Sequence, residues 1–307
     1  MRILVVGAGA TGGYFGGRLA AAGRDVTFLV RPARAAELRE RGLLIVSPHG
    51  DLALTPKALT APEIGVPCDL VILAVKGFAL ERAIADLAPA VGPETMILPL
   101  LNGMRHLDLL RARFGTRATI GGVCRVATML DAEGRIVQLA KFQELLYGEM
   151  NGAPSARTDR LHAAMQGAGF EAQLSRTIAQ DMWDKWILLA TIGGITCLMR
   201  GTIGEIEAAP GGARFALAFL DEVVAIARAA GHPPGEEFLT ATRRQIRVKG
   251  SSVASSMYRD LTQGHPVEAE QILGDLIARG RAADVPAPLL AAAFTHLSVY
   301  QQRLGLG

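Results

Sequence analysis

The sequence predicts an α/β protein: an N-terminal doubly wound parallel sheet over residues 1–174, then an all-helical domain over residues 175–307. Three observations lead there. The chain opens on a short apolar run that ends in a glycine-spaced turn. Apolar runs and helical stretches then alternate. After Ser175 the strand-like texture fades. At 307 residues there is room for two sizeable cores. With half the residues hydrophobic and 20% charged, the chain is globular rather than disordered.

Ile3 to Val6 is β-branched and aliphatic and is bounded by glycine, as a buried strand should be. It runs into Gly7-Ala8-Gly9-Ala10-Thr11-Gly12. Glycines at 7, 9 and 12 have the dinucleotide-binding spacing. They provide a tight turn, close backbone approach to a pyrophosphate, and close helix–strand packing. A helix starting near Ala10 would aim its free N–H groups and positive dipole end at the phosphates. Gly13, Gly16 and Gly17 would let that helix lie close to a sheet. Val26 to Val30 is the second strand. In NAD-binding chains this strand ordinarily ends in an acid on the ribose 2′-hydroxyl. Here it ends in Arg31, and nothing from Val26 to Ala36 is acidic. A guanidinium pairs with a 2′-phosphate, so the expected cofactor is NADPH, with Arg34 as a second contact. The bland alternative makes Arg31 a solvated loop residue.

Ala33 to Arg41 reads as a short helix. Leu43 to Ser47 and Leu52 to Leu54 read as strands around the turn Pro48-His49-Gly50-Asp51. Leu70 to Val75 is continuously apolar, as in a parallel strand covered on both faces. Leu80 to Leu87 is helical, Met96 to Leu100 a strand and Leu107 to Phe114 a helix. Between Ile120 and Tyr147 the turn signals at Asp131 to Gly134 separate strand-like runs, which predicts antiparallel additions, closed by a helix from Ala156 to Gly167. The helices expected next are Ile178 to Ile192, Ala213 to Ala230, Glu236 to Val248, Ala254 to Leu261, Glu268 to Arg281 and Pro288 to Gln302. Breaks fall at Gly231 to Gly235 and Asp284 to Pro286. In such an order the cofactor lies along the carboxyl ends of the strands and substrate enters from the helical side.

The net charge of +3 is spread along the chain, which argues against a nucleic-acid partner. Cys68, Cys124 and Cys197 are far apart and form no CxxC, so neither a metal site nor a disulfide is expected. Thiols of this kind suit a reducing cytoplasm. The first residues form a strand, without the layout of a signal peptide. The most apolar run, Trp186 to Met199, includes Gly193, Gly194 and two threonines. It is short for a bilayer, so a buried core helix is expected and no membrane.

Lys76 and Asn102-Gly103 each follow a predicted strand, at the sheet end where ligands bind. They read equally well as a loop lysine and a simple turn. Lys185 lies between the only two tryptophans, Trp183 and Trp186, at the start of a stretch apolar all round. A lysine is seldom buried unless paired or functional, and desolvation favours its giving up a proton. Snorkelling, or pairing with Asp181 or Asp184, would explain it as well. The hydroxyls of Ser251 to Ser256 are natural helix caps, and Glu268 is a favourable charge near the next helix start.

Taken in order, Gly7-x-Gly9-x-x-Gly12, Arg31, Val75-Lys76, Asn102-Gly103, Trp183-x-Lys185, Ser255-Ser256-Met257-x-x-Asp260 and Glu268 resemble the ketopantoate reductases (2-dehydropantoate 2-reductases) over nearly the whole chain. The resemblance implies a Rossmann-type domain with a helical partner. It also implies NADPH-dependent reduction of 2-dehydropantoate to pantoate, a step toward pantothenate and coenzyme A. It further implies that Lys185 is the catalytic lysine, Glu268 the essential glutamate and Ser256 the carboxylate-binding serine. Asn102 and Lys76 would lie around the nicotinamide and substrate, and the residues from Gly7 to Gly12 with Arg31 would hold the cofactor. The expected partner is a small 2-oxo acid; a homodimer is compatible with the resemblance. Two features depart from it. Asparagines are common in the family one and two helical turns after the lysine, where this chain has Leu189 and Gly193; a glutamine is common three residues after the first lysine, where it has Ala79. These substitutions predict a substrate pocket that is roomier and more apolar. They leave open another branched 2-oxo acid, and a non-catalytic NADP(H)-binding sensor stands as the alternative class.

Overall fold

The structure, a computed structural model, describes residues 1–305. They group into two compact units. The first comprises Met1–Leu101 and His106–Ala179; the second comprises Asn102–Arg105 and the chain from Gln180 onward.

The first unit begins with β1 (Arg2–Val6), α1 (Ala10–Ala21), β2 (Asp25–Leu29), α2 (Pro32–Arg41), β3 (Leu43–Val46) and β4 (Leu52–Leu54). It continues with β5 (Lys57–Leu59), β6 (Leu70–Leu73), α3 (Leu80–Leu87), β7 (Met96–Pro99) and α4 (Arg105–Phe114), whose first residue belongs to the second unit. It ends with β8 (Gly121–Leu130), β9 (Ile136–Gly148), α5 (Ala156–Met165) and β10 (Glu171–Leu174). Five parallel strands lie in the order β5-β2-β1-β6-β7. The order reverses at β1, which has β2 on one side and β6 on the other, so a topological switch point lies beside the carboxyl end of β1. A second sheet, β10-β9-β3-β4, carries β8 antiparallel along β9. This is the expected antiparallel addition.

Helix α1 packs against both sheets. A Cβ on Gly16 would meet the Phe28 ring at 2.7 Å, whereas one on Gly17 would meet Leu43 Cδ2 at 2.6 Å. Glycine costs a helix about 1 kcal/mol of propensity per residue; here its absent side chain is what lets strands approach from two sides. β5 is not expected from the sequence. It is a three-residue edge strand held by β2, and the run carries no apolar alternation to betray it.

The second unit contains α6 (Ile178–Met199, with its first two residues in the first unit), α7 (Ile203–Ala208), α8 (Gly212–Ala229), α9 (Glu236–Gln245) and α10 (Ser256–Thr262). A wide π-turn over Glu270–Gly274 then leads into α11 (Asp275–Ala282), and α12 (Pro288–Arg303) follows. Of the two expectations for this stretch, a helix ending at Ile192 and a buried core helix over Trp186 to Met199, the second holds: α6 runs through Gly193-Gly194 to Met199. The reason is packing. A Cβ on Gly194 would lie 2.1 Å from the Phe219 ring of α8, so glycine admits that ring and burial outweighs propensity. Among the described residues α6 alone is long and apolar enough to cross a membrane, and most of that stretch is buried within the protein, as in a core helix.

Candidate active site

At the switch point of the first unit, Gly7 has φ +97°, and a Cβ on it would sit 2.7 Å from the Ala74 carbonyl oxygen. A Cβ on Gly12 would sit 2.1 Å from the Gly7 carbonyl oxygen. Both positions therefore require glycine, one for its conformation and contact with β6, the other for contact between helix and turn. Gly9 is different: a Cβ there would meet no protein atom within 4 Å. Protein packing does not explain glycine at this position; the space is a cradle in which a ligand backbone can approach. Gly9 is the N-cap of α1, which has no side-chain cap and no acid in its first turn. The amides at Ala10 and Thr11 thus begin a helix whose end is open to an anion. Ala8 is buried beneath the turn. The residues fit a dinucleotide pyrophosphate.

Arg31 follows β2 and Lys76 follows β6, so both lie beyond carboxyl strand ends, and both side chains are exposed. Arg34 is engaged in the fold itself. Its Nη2 donates to the Ala8 carbonyl at 3.1 Å and its Nη1 pairs with Glu37 at 2.7 Å. Arg34 therefore braces the glycine turn, and Arg31 is the freer guanidinium of the two.

The second unit brings together three segments distant in sequence. Asn102 Nδ2 donates to Glu268 Oε2 at 3.4 Å across 166 positions. Glu268 is only 7% exposed and immediately precedes the helical turn that opens into the π-turn. Gly103 has φ +75°, and a Cβ on it would stand 2.0 Å from the Gln271 carbonyl oxygen. The Asn-Gly pair is thus more than a turn: Gly103 lets residue 102 reach Glu268. Arg105 pairs with Glu270 at 3.5 Å on the same seam. Gly103→Ala should therefore destabilise the protein by about 2 kcal/mol or more, combining a left-handed backbone with overpacking. Urea unfolding would read this as a lower midpoint at unchanged slope; a variant of full stability would show that the contact is not fixed.

Lys185 is half-buried on α6. Its neighbour Trp186 is buried and its indole Nε1 donates to the Ile272 carbonyl at 2.9 Å, within the π-turn. Ile272 N in turn donates to the Glu268 carbonyl at 3.1 Å. The segments carrying Lys185 and Glu268 are thereby tied through one indole. Sequence reading singled out the tryptophans only as markers of burial. The signal available was that a buried indole N–H needs an acceptor; that the acceptor is the Ile272 carbonyl was not readable, since any residue has one. π-turns occur frequently at functional sites.

Leu189 is half-buried, one turn beyond Lys185. Gly193, a further turn on, is buried, and a Cβ there would lie 2.8 Å from Met257 Cε. This corrects the expectation of a roomier pocket. The space left by the missing side chain is filled by the Met257 methyl, so the position is apolar but not open. Ser256 is exposed in the first turn of α10, while Ser255 provides the cap, accepting from Tyr258 N at 2.9 Å.

Comparison with known proteins identifies the family. The family described as "Ketopantoate reductase PanE/ApbA" matches residues 3–152, and its C-terminal counterpart matches residues 177–301. An uncharacterized oxidoreductase, YkpB, of Bacillus subtilis is 36% identical over 98% of this chain and 99% of its own. A 2-dehydropantoate 2-reductase of Mesorhizobium japonicum is 28% identical over 95% of each chain. The crystal structure of a PanE/ApbA family ketopantoate reductase from Ralstonia eutropha superposes with a TM-score of 0.89 at 25% identity, covering 99% of this chain and 100% of that one.

Proposed function

Because the chain belongs to the ketopantoate reductase family of oxidoreductases, we propose that it reduces a branched 2-oxo acid to the 2-hydroxy acid with NADPH. 2-Dehydropantoate, giving pantoate for pantothenate and coenzyme A, is the first candidate. The observation that carries the reading is the seam in the second unit: Asn102 bonded to a buried Glu268, with the Lys185 helix tied to the same turn by Trp186.

When bound, the dinucleotide supplies a hydride to C2 of the acid. The chain's residues do the rest. Gly7, Gly9 and Gly12 with the open start of α1 receive the pyrophosphate. Arg31 pairs with the 2′-phosphate and Lys76 adds positive charge at the neighbouring strand end. Lys185 donates a hydrogen bond and then its proton to the carbonyl oxygen as negative charge develops there. Glu268, held by Asn102, orients the lysine and the substrate hydroxyl, and Ser256 binds the carboxylate. Leu189 and the Met257-filled position beside Gly193 favour a second reading of the substrate, another branched 2-oxo acid with an apolar tail.

Arg31 tests the cofactor half. Arg31→Ala should weaken NADPH binding by roughly 1.5–3 kcal/mol, the scale of a charge-assisted hydrogen bond, and leave NADH almost unaffected. Titration of nicotinamide fluorescence with each cofactor measures both. An equal loss for the two would mean that Arg31 does not read the 2′-phosphate.

A further inference from the structure

Ser256 is the exposed member of a trio whose outer two residues are held by α6. On one side, Thr196, wholly buried, donates its hydroxyl to the Ile192 carbonyl at 2.6 Å and lies 3.2 Å from Ser255 Oγ. The single Thr196 proton is committed to Ile192, so Ser255 is the donor between the two hydroxyls. Ser255 Oγ accepts in turn from Tyr258 N at 2.9 Å. The neutral Cys197 thiol, its pKa pushed up to about 12 chiefly by burial, lies against the same serine. On the other side, Met257, 2% exposed, presses its methyl onto Gly193. Gly193 and Thr196 are three residues apart and therefore share a helix face. With residues 255 and 257 seated on that face, Ser256 is left outward.

We propose that Thr196 is a positioning residue: its hydroxyl, with the bare backbone at Gly193, forms the seat that fixes the first turn of α10 and so aims the Ser256 hydroxyl at the substrate carboxylate. This rests on the reading of Ser256 as the carboxylate anchor. The Thr196 hydroxyl is buried and its bonds run to α6 itself and to Ser255, so it acts on substrate only through that turn. Removing it takes away the oxygen acceptor of the buried Ser255 hydroxyl, leaves that hydroxyl only the weaker Cys197 sulfur, and loosens the turn on one side.

The test uses Thr196→Val, which keeps the shape and removes the hydroxyl, with Thr196→Ser as the conservative control and Ser256→Ala as the partner. Steady-state reduction of 2-dehydropantoate and of 3,3-dimethyl-2-oxobutanoate is followed, with NADPH binding measured separately. In Thr196→Val the KM for the acid should rise about tenfold, the scale of one hydrogen bond. The kcat should stay within about threefold, and NADPH affinity should be unchanged. Thr196→Ser should recover the KM. In a Ser256→Ala background, Thr196→Val should add nothing further, because the two act through one contact. If Ser256→Ala raises KM and Thr196→Val does not, the seat is overturned and the anchor stands. A concerted loss of kcat, KM and NADPH affinity in Thr196→Val would also overturn it, as a general structural effect. If Ser256→Ala leaves KM unchanged, or the native chain reduces neither acid, the reading of the site falls and takes the proposal with it.

Discussion

Lys185→Ala should lower kcat by about 10²–10⁴-fold while NADPH affinity changes by no more than about threefold. The expectation follows from where the lysine stands. It is half-buried, beside an indole bonded to the turn that follows Glu268. A proton donor held there gains most when charge builds on the carbonyl oxygen, so its loss falls on the transition state rather than on ground-state binding. Lys185→Arg should recover little, because a planar guanidinium that remains protonated is a poor substitute for a compact donor that gives up its proton. Urea unfolding would first establish that the variants are folded. A fall of less than tenfold in a folded Lys185→Ala would return the residue to a structural role beside the tryptophans.

The native chain should accept 3,3-dimethyl-2-oxobutanoate, which has the ketopantoate shape without the distal hydroxyl, with kcat/KM within about 10²-fold of ketopantoate. A site built around hydrogen bonds to that hydroxyl would reject the analogue by ~10⁴ or more, because its own polar groups would be left unpaired. Leu189 carries no such group, and the Met257 methyl occupies the position beside Gly193. Residues 189 and 193 of α6 therefore offer no side-chain hydrogen bond, and the space at Gly193 is taken by a methyl. Leu189→Asn should shift the ratio toward ketopantoate by about tenfold, one hydrogen bond's worth. Rejection of the analogue by ~10⁴ in the native chain would instead identify a dedicated ketopantoate reductase that recognises the hydroxyl with other polar groups.

The parts of the fold that could be read from sequence are those whose signal is local. β1, β6 and β7 are continuous apolar runs because both faces are covered, and the glycine spacing marks the turn after β1 with its mechanism attached. β5 escaped because three residues on a sheet edge carry no period. The end of α6 was ambiguous, because propensity at Gly193-Gly194 opposes a helix while the apolar run to Met199 favours a buried one, and the Phe219 ring on α8 decides for the helix. In the site, the cofactor turn was legible and the second unit was not. The Asn102–Glu268 bond spans 166 positions and the Thr196–Ser255 contact spans 59. No local pattern encodes either; the order of motifs along the chain suggested only that Asn102, Ser255 and Glu268 belong together, and it did not include Thr196. The Met257 methyl shows the opposite error: a glycine read from sequence as space was space already taken.

The most direct measurement of the central claim is the fate of the hydride. NADPH stereospecifically labelled with deuterium at each face of C4 in turn is incubated with the native chain and a panel of branched 2-oxo acids that includes ketopantoate. The predicted result is oxidation of NADPH matched by an equal amount of 2-hydroxy acid, with deuterium at C2 from one of the two labels only. NADPH that binds but is oxidised by no acid of the panel would contradict the account and make the chain a cofactor-binding sensor.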